Sequence, residues 1–513
     1  MSYILKGKYV YTSYDADNAG LLRDGAVYFD GQTIREVGGA AELCWKYPEA
    51  TVLGGDDYAV LPGLIDAHTH GSGLSYVQRG PGFDYLENSQ WEWPGAVVLP
   101  PELNAPLAAL RHLQNGCTTM HQNVMGIACD EKAAETSARY LKAYQKTGMR
   151  VAYSPGIRDE NQLVYGDADF YRTLPPDLQA FIRPRIFFDK ERARDMFFDW
   201  FEEVYQTFDS DMCRILLGPC WAHGASEELL LRTKRTAEDH GHLPIHIHTL
   251  QTPIQRGFGL KAYGKSLLRR MEDLGIVDDN LTLGHAVYLD EEDIEILRRR
   301  GASITHHVSC NFAMRNGISP VWYLQRAGVN VALGIDEKGI NDDEDPFMEL
   351  RMIYYVSRVS GFDLEHNQAL TANEVFEMGA RNAARTIGFG GRLGAVAPGM
   401  KADLILLDLT EIEKKPCVAE TADPTETLMH RALGRFVTDV FVNGRPVIRN
   451  KACTTIDVDA LYREVRDFVA REPDKAQQHY AAQMRRLQPY VQAWYRGMDN
   501  FPRQPYYPVN SRI

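Results

Sequence analysis

Histidine and aspartate recur in this chain where short apolar runs end. His68 and His70 close VLPGLIDAHTH, His246 and His248 sit at the end of LPIHIHT, and His285 closes LTLGH. His306 and His307 follow in ASITHH, and Asp336 closes VNVALGID. On a strand, H-x-H spacing points both imidazoles to the same side, so each pair can share one ion. Imidazole nitrogen with a carboxylate suits Zn, Fe or Mn, and four protein ligands leave room for a reactive water that the ion acidifies. One histidine alone is ordinarily structural or solvated. Several strand ends carrying His, then Asp, in one repeating pattern point to a divalent metal centre that performs hydrolysis.

The elements that must position these groups alternate. Strand-like runs such as CTTMHQNV, MRVAYS, CRILLGP, LPIHIHT, LTLGHAV and VNVALGID are separated by amphipathic stretches such as PLAALRHLQNG, EELLLRTKRTAEDHG and EEDIEILRRRG. Repetition of this unit predicts an α/β fold with a parallel sheet closed into a (β/α)8 TIM barrel over 61–389, whose carboxyl-terminal face carries the histidines. An open doubly wound sheet is the alternative, but no G-x-G-x-x-G opens a helix after the first strand. Residues 1–60 and 390–450 read as alternating strands with hairpin signals at Asp30-Gly31 and Asn443-Gly444. They predict one small β-sandwich domain assembled from both chain ends. Residues 451–513 predict a C-terminal helical and aromatic extension.

The 513 residues carry a formal charge of -13. That balance disfavours a nucleic-acid partner, which requires Lys and Arg against phosphate. No apolar run reaches membrane-span length, and the start MSYILKGKYVYTSYD lacks a signal-peptide pattern, so a cytoplasmic enzyme acting on a small molecule, without a membrane partner, is expected. Eight cysteines without a C-x-x-C pair fit reduced thiols. The tail aromatics Tyr490, Trp494, Tyr495, Tyr506 and Tyr507 either cover a neighbouring subunit, giving a homo-oligomer (dimer or higher), or pack on the chain's own barrel. In the long segment 71–100, Tyr76, Tyr85, Trp91 and Trp93 are candidates for an aromatic substrate wall or for rim packing.

LPGLIDAHTH (61–70), HIHTLQT (246–252), LGHAVYL (283–289), NFAMRNGISPV (311–321), LGIDEKGIND (333–342) and GAVAPGMKADLILLD (394–408) together resemble the amidohydrolase superfamily. Within it they are similar to the branch of the triazine chlorohydrolases, guanine deaminase and the methylthioadenosine/S-adenosylhomocysteine deaminases. The resemblance implies that His68, His70, His248 and Asp336 hold one divalent ion, Zn in the first place and Fe or Mn otherwise. It implies that Asp336 shuttles the proton and that His285 contacts the attacking water or the substrate. His248 is preferred to His246 because the family ligand precedes the T-L-Q-T stretch. RILLGPC ends without a lysine, so a single ion is implied.

Two departures bear on the reaction. Deaminases of this branch carry Glu three residues after the ligand histidine, where this chain has Gln251, whose amide cannot titrate. Where adenosine-type deaminases show G-P-H-S-P, this chain reads Gly218-Pro219-Cys220-Trp221. Gln251, Cys220, His306 and Glu337 are therefore the substrate-side candidates. Glu337 is either a replacement acid or an ordinary salt-bridged or solvated carboxylate. Loss of the Glu favours hydrolysis of an amide, urea or carbamate carbon–nitrogen bond in a small, partly aromatic or heterocyclic substrate, which needs one proton shuttle. The alternative is an N-heterocycle deaminase or chlorohydrolase. A third possibility, a non-catalytic scaffold, conflicts with the complete ligand set.

Overall fold

The computed structural model describes residues 1–513 except 90, 92, 360–363, 366–368, 473, 497 and 499–513. The amino-terminal strands are β1 (Ser2–Tyr11), β2 (Leu21–Asp30), β3 (Thr33–Gly39) and β4 (Thr51–Pro62). Eight short strands follow: β5 (Leu64–Thr69), β6 (Cys117–Asn123), β7 (Arg150–Ser154), β8 (Cys213–Ile215), β9 (Ile245–Thr249), β10 (Leu281–His285), β11 (Ser303–His306) and β12 (Asn330–Leu333). The carboxyl-terminal end adds β13 (Leu404–Asp408), β14 (Val437–Val442), β15 (Arg445–Arg449) and β16 (Ala452–Cys453).

Strands β5 to β8 pair in sequence as one parallel sheet, and β9 to β12 as another. Two seams join them into a ring of eight. At one, Leu217 bridges Ile245, and His246 N donates to Leu217 O at 2.8 Å. At the other, Thr69 bridges Asp336, and Asp336 N donates to His68 O at 2.7 Å. The sheet is therefore a barrel and not an open doubly wound sheet. Strands such as β5, β6 and β10 are buried at every residue, as parallel strands covered by helices must be. The intervening helices begin and stop on local chemistry. Ser226 caps Glu227–Asp239 through Leu229 N, and Asp290 with Asp293 forms a capping box for Glu291–Arg300, which ends at Gly301 with φ +71°.

The expected small β domain forms from both chain ends, but as one hydrogen-bonded sheet of order β16-β15-β14-β13-β4-β1-β2-β3. Its two halves meet because the sheet curls over its own core: Phe29 of β2 lies 5.3 Å from Phe441 of β14, and Ile34 N donates to Met400 O at 2.9 Å. The β14–β15 hairpin turns at Asn443 and Gly444, both with positive φ, as that two-residue turn requires.

A buried ion pair staples this sheet to the barrel. Arg150 of β7 donates to both Asp403 oxygens at 2.9 and 2.8 Å, with side chains 0% and 4% exposed. Asp403 also accepts from Asn443 N at 2.7 Å.

Among the tail aromatics, Trp494 donates to Tyr165 O at 3.0 Å and Tyr495 is buried in a cluster with Trp91 and Phe170. These two pack on the chain itself and give no ground for a neighbouring subunit. Tyr490 is 38% exposed, and Tyr506 and Tyr507 lie outside the described residues. All eight cysteines are free, and no described helix is long and apolar enough to cross a membrane.

Removing one partner of a buried pair leaves the other charge uncompensated, at a cost of about 3–5 kcal/mol. Asp403→Ala should lower the unfolding free energy by about that amount in urea titration. A loss under about 1 kcal/mol would show that the pair does not hold the sheet to the barrel.

Candidate metal centre and catalytic cavity

Every group of the site comes from the end of a barrel strand or the turn beyond it. His68 is next to last in β5 and His70 is the first residue past it, His248 is next to last in β9, His285 is the last residue of β10, and Asp336 lies three residues past β12. His285 and Asp336 hold φ of +70° and +65°, a left-handed backbone that non-glycine residues seldom adopt outside functional sites. Gly334 makes room here, since a Cβ on it would fall 2.4 Å from the ring of His307.

The Asp336 carboxylate is the hub. Its Oδ1 lies 3.5 Å from His68 Nε2 and 3.2 Å from His70 Nε2, while its Oδ2 lies 3.7 Å from His285 Nε2 and 3.4 Å from His307 Nδ1. Burial alone would raise this acid, but His307, His68 and His70 hold it well below the usual carboxylate range. Burial opposes a charge on His70, yet Asp336, Glu337 and the Asn123 carbonyl bring it up to about 9. Burial holds His68 and His248 well below the ordinary imidazole value, leaving them neutral, as metal ligands must be.

Each ring is oriented by its other nitrogen. His70 Nδ1 bonds to Asn123 O at 3.0 Å, His248 Nδ1 to Cys220 O at 2.7 Å, and His68 Nδ1 to His246 Nε2 at 2.7 Å. Such outer bonds fix tautomer and direction. They leave the Nε2 atoms of His68 and His248 buried with no hydrogen-bond partner. An orphaned buried acceptor costs about 1–3 kcal/mol. The nitrogens of His68, His70 and His248 lie within 4.8 Å of one another, and His68 also groups with His285, His307 and Asp336. Two neutral imidazoles, and a third on His70 whose proton a cation would displace, converge beside an ionised carboxylate and fit a divalent cation; the ligands would be His68, His70, His248 and Asp336.

Beneath the centre runs a buried chain of alternating charge. Asp66 accepts from the backbone N of His68 and of Ile335 at 3.1 and 2.9 Å, and meets His112 Nε2 at 2.9 Å. His112 Nδ1 lies 3.3 Å from Glu344, which accepts from Lys338 Nζ at 2.7 Å. Burial opposes a proton on His112, but Glu344 and Asp66 raise it to about 10. This chain ties β5 to the segment after β12, the two sources of His68 and Asp336. Sequence reasoning missed it, because His112 and Glu344 stand in helix and turn positions with no strand-end signal.

A cavity of about 540 Å³ opens over the centre. His70, His248, His285 and Asp336 of the centre line it, together with Gln251 and Glu337 and the more apolar side chains of Val124, Ile127, Tyr140, Tyr153 and Trp200. Gln251 is buried, with Oε1 unpartnered. Glu337 is 6% exposed, has an unpartnered Oε2 and forms no salt bridge among the described residues, so it is not ion-paired there. Burial and the neighbouring Asp336 push its carboxyl up.

Two other candidates fall away from the cavity. Cys220 serves through its carbonyl; burial pushes its thiol up to about 12, and the sulfur faces Val124 O at 3.9 Å. His306 is buried off the cavity with neither ring nitrogen partnered, and its neighbour His307 takes the place beside Asp336. His306 is the last residue of β11 and His307 stands just past it, before the helix Val308–Ala313. Of the loop aromatics, Tyr76 and Trp93 line the cavity, Trp91 is core, and Tyr85 is 49% exposed beneath Arg315. His121 supports from the second row, between Ala67 O and Ser154 Oγ. Its place at the end of CTTMHQN was a usable signal.

The amidohydrolase family model matches residues 59–447. The 5'-deoxyadenosine deaminase of Methanosarcina acetivorans is 29% identical over 91% of this chain and 98% of its own length. An adenosine deaminase from Xanthomonas campestris, solved with bound Zn, matches with a TM-score of 0.76 at 25% identity, over 91% of this chain and 97% of that one. The atrazine chlorohydrolase of Arthrobacter aurescens TC1, solved with zinc, shares the fold with a TM-score of 0.74 at 22% identity, over 91% of this chain and 100% of that one. With the family model spanning the barrel and the β domain's inner strands, this chain belongs to the amidohydrolase family.

Proposed function

We propose that this chain hydrolyses an amide, urea or carbamate carbon–nitrogen bond in a small, partly aromatic substrate. Membership of the family makes it a hydrolase of non-peptide carbon–nitrogen bonds. The observation that carries the finer statement is the cavity-lining position three residues past His248. It holds the neutral amide of Gln251, with Oε1 buried and unpartnered. An amide both donates and accepts, so it is complementary to an N–H or C=O flanking the scissile carbon, and it moves no proton.

His68, His70, His248 and Asp336 would hold a divalent ion, which would supply Lewis acidity and acidify a water; the Zn-bound neighbour supports zinc. Proton handling falls to the chain's own groups. Asp336, ionised at rest, takes the proton of the attacking water and returns it to the departing nitrogen. His285 Nδ1–H donates a hydrogen bond to Asn311 Oδ1 at 3.1 Å, which leaves Nε2 as an acceptor that orients that water. The more apolar lining at Val124, Tyr153 and Trp200 takes the substrate's hydrophobic body. Tyr153 OH and Trp200 Nε1 are already spent on Ser137 Oγ. The eight free thiols fit a reducing, cytoplasmic compartment.

Glu337 supports a second reading. A carboxyl on the cavity wall without an ion pair is the acid that ring deamination requires and Gln251 cannot supply. The deaminase names of the relatives point the same way.

His70→Ala and His248→Ala should each weaken zinc affinity by more than about 100-fold, measured as metal per chain after dialysis and as loss of zinc-induced thermal stabilisation. Retention of a full complement would exclude the proposed ligand set. Product-resolved mass spectrometry on phenylureas, carbamates, N-acyl amines, aminopyrimidines, purines and chlorotriazines should show release of a substituted amine or alcohol. In Glu337→Gln that rate should stay within about ten-fold of wild type. Ammonia or chloride released from a ring, with Glu337→Gln lowering kcat by about 100-fold or more, would establish the second reading instead.

A further inference from the structure

The cavity is lined by carboxyls at Asp130, Asp336 and Glu337, but among its lining residues only one is Lys or Arg: Arg79, at the end of the short helix Tyr76–Arg79. Its guanidinium lies over the Tyr76 ring at 4.8 Å, and its Nε is buried without a hydrogen-bond partner. Among the described residues it has no ion-pair partner. Three arginines that do not line the cavity have partners of their own. Arg158 donates to Gln162 O at 2.7 Å, Arg256 to Asp290 at 2.8 Å and Arg315 to Asp84 at 2.6 Å. The nearby carboxyls do not serve Arg79 either: Asp336 is committed to its histidines, Asp130 accepts from Lys132 N at 2.9 Å, and Glu337 feels the Arg79 charge without pairing.

We infer that Arg79 is a substrate-recognition residue, and that the substrate's aromatic body carries an oxyanion group such as a carboxylate or sulfonate. An arginine is donor-only and always charged, and its planar fork matches two oxygens of one acid at once. Arg79 is half-buried, and no carboxylate among the described residues takes its hydrogen bonds, so a bound oxyanion would supply the partner that its fork lacks. The aromatic part of the ligand is set by what stands beside the charge. Tyr76 and Trp93 form a stacked pair with centroids 6.0 Å apart and planes 10° apart, and both line the cavity. We place a flat ring against this pair, its acidic substituent at Arg79 and its carbon–nitrogen bond toward His248 and Asp336, which line the same cavity. This assignment of the substrate class rests on the hydrolase reading of the same cavity.

The test compares benzenesulfonate, whose oxygens are weak metal ligands, with the neutral methyl phenyl sulfone, by calorimetric titration of the zinc-loaded full chain. Wild type should bind the sulfonate at least about ten-fold more tightly than the sulfone, the ordinary effect of charge-assisted hydrogen bonds. That ratio should fall to near one in Arg79→Met and be retained in part by Arg79→Lys. Equal binding of the two probes by wild type would overturn the inference, whatever the fate of the variants. So would an unchanged ratio in Arg79→Met, which would place the anion on the metal or elsewhere. Because the readout is equilibrium binding, failure to hydrolyse any carbon–nitrogen bond would refute the activity and leave this result standing.

Discussion

One desolvated carboxylate organises the centre of this molecule. Asp336 is buried among four imidazoles, with one oxygen toward His68 and His70 and the other toward His285 and His307. A lone buried anion is among the most unfavourable things a protein can contain, so the surrounding structure must keep positive or polarisable groups fixed on it. The barrel does this by making the Asp336 backbone part of its own closure. The amide that donates to His68 O is also the bridge between the last strand and the first. Closing the barrel and assembling the site are the same event at that seam.

The two left-handed residues and the charged chain below the site follow from that requirement. His285 and Asp336 leave their strands with positive φ, which turns each side chain back over the barrel mouth. The cost, of order 1–3 kcal/mol per residue, is tolerated only where the surroundings over-determine the conformation. Asp66 provides part of that determination. It grips the amides of His68 and Ile335 together, and its own charge is balanced through His112, Glu344 and Lys338. The chain carries no net charge if each member is ionised, so it can lie under a metal centre without competing for the cation.

How much of this could be read from residue order depends on the range of the interaction. Histidines at strand ends obey a local rule, period two with an apolar run before them, and His68, His70, His248, His285 and Asp336 all converge as that rule requires. The same rule failed at His306 and His307, because strand phase there turns on a single residue and adjacent histidines fit either phase. The eight strand runs were legible, with several of the helical stretches between them. Their seams were not, since Leu217–Ile245 and Thr69–Asp336 are one-residue bridges at ragged strand ends. The curl of the β domain was hidden for a related reason: Leu404 pairs with Pro62 across most of the chain, and no local pattern encodes that. The helices Asp167–Arg172, Pro176–Ile186 and Lys190–Phe208, which interrupt the alternation between β7 and β8, also escaped a search for repeating units.

Glu337 and Gln251 show most clearly what residue type alone leaves undecided. A glutamate in a loop is ordinarily solvated, and read as such it has no chemical consequence. The turn after β12 instead buries it against the cavity wall, next to Asp336, without a cation of its own. The position after His248 where a titrating acid stands in the deaminase branch is here an amide, but an acid is still present in the cavity, entering from a different strand. Loss of an acidic residue at one motif position is therefore not the same as loss of an acid from the site. The chemistry of this cavity is set by how many carboxyls face it and what each is paired with. Asp336 is fully engaged by histidines, while Glu337 keeps an oxygen free. Whether that free oxygen moves a proton or only shapes the pocket is the physical difference between cleaving a carbon–nitrogen bond in an open chain and removing an amine from a ring.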